Sequence, residues 1–259
     1  MIGQVVLTEF WKLKRSAVPW VTLGAMLAAP WGIALFAWIV RDPQRAADLG
    51  LLGTKANLAG LEATWPAFGS YLVMIAGAGG LLMLAFVVAY VFGREYADGT
   101  AKTLLALPVA REWFAGGKLV VALVWWLVLA VAALAEGLLI GAAMRLPGFT
   151  ADVGWHVVTG VLMAAAASFL LAPVVAWVTV WTRSYLAALG FALGMLLLGD
   201  VVGHTGWAVW FPWSIVPLLT GMVGSAAPVL PWGSSLVLGL TFVIGLAGTG
   251  LHLRLADNP

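Results

Sequence analysis

The chain has 259 residues, 63% of them hydrophobic and only 9% charged, with a mean hydropathy of +1.04. Soluble domains carry about 25% charged residues, so composition excludes an ordinary soluble globule and points to an integral membrane protein. There is no cysteine, which removes a disulfide framework and a thiolate metal site. The formal charge of +2 is no argument for a nucleic-acid partner, because Lys and Arg in membrane proteins usually record orientation.

The first 17 residues are amphipathic. On a wheel of about 100° per residue, Ile2, Val6, Leu7, Phe10, Trp11 and Leu13 share one half. Gln4, Thr8, Glu9, Lys12, Arg15 and Ser16 share the other, with Val5 and Lys14 as exceptions. The pattern predicts a helix lying in the membrane interface, and a plain basic cap on the first span is the alternative. No small-residue cleavage site closes a short apolar region, so the first span is expected to stay as an anchor.

Six apolar runs approach the ~20 residues that a helix needs to cross the hydrocarbon: Trp20 to Val40, Phe68 to Phe92, Leu119 to Ala143, Val157 to Trp181, Tyr185 to Val202 and Trp232 to Leu253. They are continuously apolar and too long for barrel strands, so the expected fold is all-α, a single transmembrane domain of six helices. With the N-terminus inside, nine basic residues face the cytoplasm: Lys12, Lys14, Arg15, Arg94, Lys102, Arg111, Lys118, Arg183 and Arg254. Four face outward: Arg41, Arg45, Lys55 and Arg145. That split predicts a multi-pass protein of the inner or plasma membrane with both termini cytoplasmic.

The second and third runs are joined by residues 93–118, the most polar connector in the chain. Asp98, Gly99 and Thr100 predict a turn with an N-cap, Ala101 to Leu107 a compact helix, and Pro108 a break that opens the next helix. Leu104, Leu105 and Leu107 are costly to leave in water, so they should insert into the same chain, the bilayer surface or a partner. No GxxxxGK[ST] phosphate loop is present, so any nucleotide-driven work needs a second chain.

Inside the membrane, Glu136 in the third run is a functional candidate because an intramembrane charge costs about 2.5 to 3.5 kcal/mol. It could sense substrate, pair with Arg145, or bond to a group within the bundle. Asp200 and His204 lie four residues apart on one face at the outer end of the fifth run and could bind a metal or relay a proton, but two ligands are too few for a metal site without a third, and interfacial capping is the plainer reading. Gly137 with Gly141, and Gly190 with Gly194, permit close helix approach, either as packing or as a dimer face. Pro30 and Pro173 predict kinks. Residues 204–231, with Pro212, Pro217, Pro228 and Pro231, predict a re-entrant or outer-face helical segment that caps an exit path or shields the bundle. Trp210 and Trp213 join Glu136 and Asp200 as candidate path residues.

Three stretches resemble one family. REYADGTAKTLLALPVAREWF followed by Lys118 resembles the cytoplasmic segment between the second and third spans of ABC-2-type transporter permeases. TEFWKLKRS, Thr8 to Ser16, and WFPWSIVPLL, Trp210 to Leu219, are similar to segments of the bacitracin and lantibiotic resistance branch. The resemblance implies that residues 93–118 form a coupling segment docked on a separate ATPase. Arg94, Glu95, Asp98, Gly99, Thr100, Lys102, Pro108, Arg111 and Glu112 would then be contact or bracing residues, with Leu104 and Leu105 as the apolar anchor. It also implies a second permease copy, a homodimer, around a path for a hydrophobic or amphipathic cargo. ATP and Mg would be bound by the partner, with no cofactor in this chain. Two other classes fit the sequence less well. An intramembrane enzyme lacks HExxH, a serine with a positioned base, or a second intramembrane Asp beside Asp200. A cofactor-handling or assembly protein lacks paired histidines at matching depth.

Overall fold

The computed structural model describes residues 2–52, 61–101, 103, 110–224 and 230–255, and among them there is no strand. The described helices are α1 (Ile2–Lys14), α2 (Val18–Arg41), α3 (Pro43–Asp48), α4 (Trp65–Ala97), α5 (Arg111–Ala143), α6 (Ala151–Thr182), α7 (Tyr185–Gly203), α8 (Pro212–Leu219) and α9 (Trp232–Leu255). A 3-10 turn, Ala208–Trp210, precedes α8. Six of the helices, α2, α4, α5, α6, α7 and α9, are long and apolar enough to cross a membrane.

Their ends follow local chemistry. Proline opens α2, α4 and α8 in the first turn, where its missing N–H costs nothing. The Thr150 hydroxyl caps α6 by accepting from Val153 N at 3.2 Å, and Ser184 caps α7 by accepting from Ala187 N at 3.3 Å. Arg183, at φ 53°, makes the tight reversal between α6 and α7.

α4 and α6 are the central pair, buried over more of their length than the other long helices, whereas α9 packs mainly on α6. Lipid is as apolar as leucine, so close packing and hydrogen bonding, not exclusion from water, hold such helices together. Trp126 of α5 fills the centre: it is almost fully buried, its Nε1 donates to Ala165 O at 3.0 Å, and its ring lies where a Cβ on Gly80 would stand. α9 crosses α6 beside Pro173, where Gly245 lies against the Pro173–Val174 backbone and Thr249 Oγ1 donates to Pro173 O at 3.2 Å.

Two expectations change in detail. The polar connector is shorter than residues 93–118, because α4 continues to Ala97 and α5 already starts at Arg111. The N-terminal wheel places Glu9 on the polar half and Leu13 on the apolar half, yet these two are the buried residues of α1, while Leu7, Phe10 and Trp11 are exposed. α1 is therefore rotated so that one acid faces the protein and the large apolar side chains face outward. In the 204–231 region, α8 packs inside the bundle against α7 and α6, with Ile215 and Val216 buried. Gly199 permits this, since a Cβ there would be 2.5 Å from Trp213 O.

Candidate functional site

Four charged side chains from three helices meet at one end of the bundle. Glu9 and Lys12 share a face of α1, Glu95 sits in the last turn of α4, and Lys118 lies two turns into α5. An acid near a helix C-terminus and a base near a helix N-terminus both oppose the helix dipole. Glu95 and Lys118 hold these positions because each neutralises the other across the gap.

The three N–H donors of Lys118 are all used: Glu9 Oε2 and Glu95 Oε1 each accept at 2.8 Å and Val91 O at 2.7 Å. Lys12 donates to Glu9 Oε1 at 2.6 Å and to Glu95 Oε1 at 3.1 Å. Two acids and two bases leave the group neutral, as burial requires. Burial by itself lowers the pKa of Lys12, but the hydrogen bond and charge of Glu9, then Glu95, outweigh it and raise the ammonium above its usual value. Glu95 Oε2 is buried and has no hydrogen-bond partner among the described residues. Gly117, next to Lys118, lets α1 approach: a Cβ there would be 2.7 Å from Val5 Cγ1.

The surrounding residues brace the same end. Arg94 Nε pairs with Asp98 Oδ2 at 3.1 Å, and its Nη1 donates to Lys12 O at 3.0 Å, satisfying a terminal carbonyl of α1. Gly99, at φ 68°, ends α4 as a left-handed C-terminal residue: its N–H reaches Tyr96 O at 3.3 Å and Thr100 N reaches Glu95 O at 2.9 Å. The expected Asp98–Thr100 turn is thus a helix C-cap. Arg111 Nη1 donates to Leu253 O at 2.5 Å, and Glu112 pairs with Arg254, tying the start of α5 to the end of α9. Of the expected coupling residues, Arg94, Glu95, Asp98, Gly99 and Thr100 therefore gather at the end of α4, and Arg111 and Glu112 meet α9. Lys102, Leu104, Leu105 and Pro108 lie outside the described residues.

Glu9, Lys12 and Lys118 carry the cluster, although in the sequence Glu9 and Lys12 mark only amphipathicity and orientation, and Lys118 only orientation and the end of the resembling motif. The usable signal was Lys118 itself, a base set between Gly117 and the apolar run Leu119 to Val124, which needs a buried acid.

The candidate path residues do not form one site. Glu136 accepts a hydrogen bond from Trp31 Nε1 at 2.9 Å, and no ion pair joins it to Arg145 among the described residues. Its Oε2 is buried without a partner among those residues. Trp213 is buried edge-on against Phe191 at 5.8 Å, a packing role, whereas Trp210 is exposed and covers Gly233. Asp200 lies on α7, and His204 is the C-cap residue of that helix. Among the described residues no group of three or more His, Cys, Asp or Glu could hold a metal.

These features define a multi-pass helical membrane protein whose ionic contacts are concentrated at one end of the bundle. Residues 5–199 match the family described as ABC-2 family transporter protein, and the chain belongs to that family. It is 28% identical over 188 residues to the Bacitracin transport permease protein BCRB of Bacillus licheniformis, a match covering 72% of this chain and 88% of that protein. The matched region is a transmembrane permease and not an ATPase domain; ABC-2 permeases work with an ABC ATPase subunit.

Proposed function

We propose that the chain is the membrane half of an exporter for a hydrophobic or amphipathic cargo such as a peptide antibiotic, a drug or a lipid-like molecule. A separate ABC subunit binds ATP and Mg and docks on the segment between α4 and α5. The observation that carries this reading is the neutral, buried cluster of Glu9, Lys12, Glu95 and Lys118. It joins the two helices at the roots of that segment to α1, so a push on the segment is delivered to both helices and α1 together. The nine-to-four distribution of basic residues supports a cytoplasmic position for this end.

Coupling requires that the motor bind two arrangements of the permease with different affinity. An ionic joint suits this role, because breaking a buried pair leaves an uncompensated charge and so penalises any arrangement that separates its members. The permease is expected to act with a second copy of itself, and the relative's name makes bacitracin the first cargo to test.

The test is co-purification. Replacing Leu104 and Leu105 together by Glu should abolish recovery of the bound ATPase while the permease still inserts in the membrane. Unchanged recovery refutes docking through this segment.

A further inference from the structure

Cavities of about 20 and 30 Å³ within the bundle have room for one or two waters each, whereas a groove of about 290 Å³ opens where α1 turns into α2. Phe10 and Leu13 of α1, Trp20 and Leu23 of α2 and Trp125 of α5 form its walls. Trp125 spends its N–H on Thr22 Oγ1 at 3.0 Å, so its ring offers the groove carbon. Trp20 is exposed, and α2 is one of the six helices apolar enough to cross a membrane.

The rim has the opposite character. Lys14 lines the groove and Arg15 follows it, and their charged groups gather 5.4 and 5.7 Å from the centroid of the Trp11 ring. Unlike Lys12 and Lys118, neither forms an ion pair among the described residues, and no carboxylate among those residues lines the groove. An apolar slot lined by Lys14, with Arg15 next to it in the chain and both cations without an ion pair among the described residues, matches an acyl chain ending in a negatively charged headgroup. A second copy fits less well, since a symmetric contact centred here would set Lys14 and Arg15 against their own counterparts.

We propose that the groove holds an acyl chain of an anionic glycerophospholipid, its phosphate on Lys14 and Arg15. The lipid fills the gap between α1 and the α2–α5 pair, on the flank of α1 that the buried ion cluster does not hold. This rests on the membrane setting of the six helices and is independent of ATPase docking.

The full chain, purified into nanodiscs of equal parts phosphatidylglycerol and phosphatidylcholine, is released for native mass spectrometry and its retained lipid identified. Each cation near an anionic headgroup is worth about fivefold, so the wild type should retain phosphatidylglycerol by at least about fivefold over phosphatidylcholine. The double variant Lys14→Gln/Arg15→Gln should bring that ratio near parity, and Leu23→Trp, which fills the groove, should lower retention of both lipids several-fold. Equal retention by the wild type, or an unchanged preference in the charge variant, overturns the proposal. So does a lipid-free dimer that Leu23→Trp dissociates, which gives the groove to a second copy. If Leu23→Trp does not fold, the exposed charge variant still decides the matter. Failure of ATPase capture in the Leu104/Leu105 experiment leaves these results unaffected.

Discussion

Lys118 and Glu9 stand 109 residues apart in the chain and meet at 2.8 Å inside the charged end of the bundle. The contact fixes the rotation of α1: with Glu9 turned inward, Leu7, Phe10 and Trp11 are carried to the outer surface, where an interfacial helix needs them. Removing one member of a buried pair leaves its partner uncompensated, at a cost of about 3–5 kcal/mol. Lys118→Met should therefore lower the unfolding midpoint of the purified protein strongly. Adding Glu9→Gln should recover part of the loss, because interacting sites are not additive. Additive losses in a double-mutant cycle would dissolve the joint into separate local contacts.

The C-cap of α4 makes a second, independent demand. Gly99 is left-handed at φ 68° and ends α4 just before the segment that leads to α5. A β-branched residue in that conformation costs about 1–2 kcal/mol, whereas Asn tolerates it. Gly99→Val should reduce recovery of the ATPase and increase proteolysis just after Ala97, and Gly99→Asn should behave nearly as the wild type. Equal recovery in all three would mean that docking does not depend on how α4 ends.

The elements that were legible in the sequence are those set by one-dimensional signals. Six continuous apolar runs dictate six long helices, because backbone groups in hydrocarbon must be satisfied within each segment. Prolines and hydroxyl caps mark several of the starts. The ion cluster was hidden because its members come from residues 9, 12, 95 and 118 and only tertiary packing unites them. A helical wheel groups Glu9 with the polar half of α1 and carries no sign that part of this half faces a buried base. Glu136 is recognisable as an intramembrane acid, and of its open partners, Arg145 or a group within the bundle, the structure supplies the second, an indole on α2 that no spacing in the sequence singles out.

That Glu136–Trp31 bond separates a structural role from a transport role. Glu136→Gln keeps an acceptor for Trp31 Nε1 and removes a charge that costs about 2.5–3.5 kcal/mol in the membrane. If the charge serves transport, insertion and ATPase recovery should be unchanged or improved, while cargo stimulation of the complex's ATPase activity and export should fall. Export at the wild-type rate would assign Glu136 to packing. Loss of ATPase recovery as well would make it a residue that holds the bundle.

The two glycine pairs diverge once the helices are in place. Gly137 and Gly141 are closed by Leu72 and Trp65 of the same chain, and a Cβ at either would stand less than 3 Å from them. Gly190 and Gly194 on α7 meet nothing within 4 Å, and exposed Leu186, Leu193 and Leu197 flank them. A small-residue pair with no neighbour among the described residues offers close approach to another helix, and the proposed second permease copy would supply one. Leucine at both positions should leave the monomer as stable as before, since each Gly→Leu change also favours helix by up to about 1 kcal/mol. It should shift the mass of the purified protein from dimer to monomer. A dimer that survives both substitutions would place the subunit contact on another helix, whereas a wild type already monomeric at working concentration would remove the contact altogether.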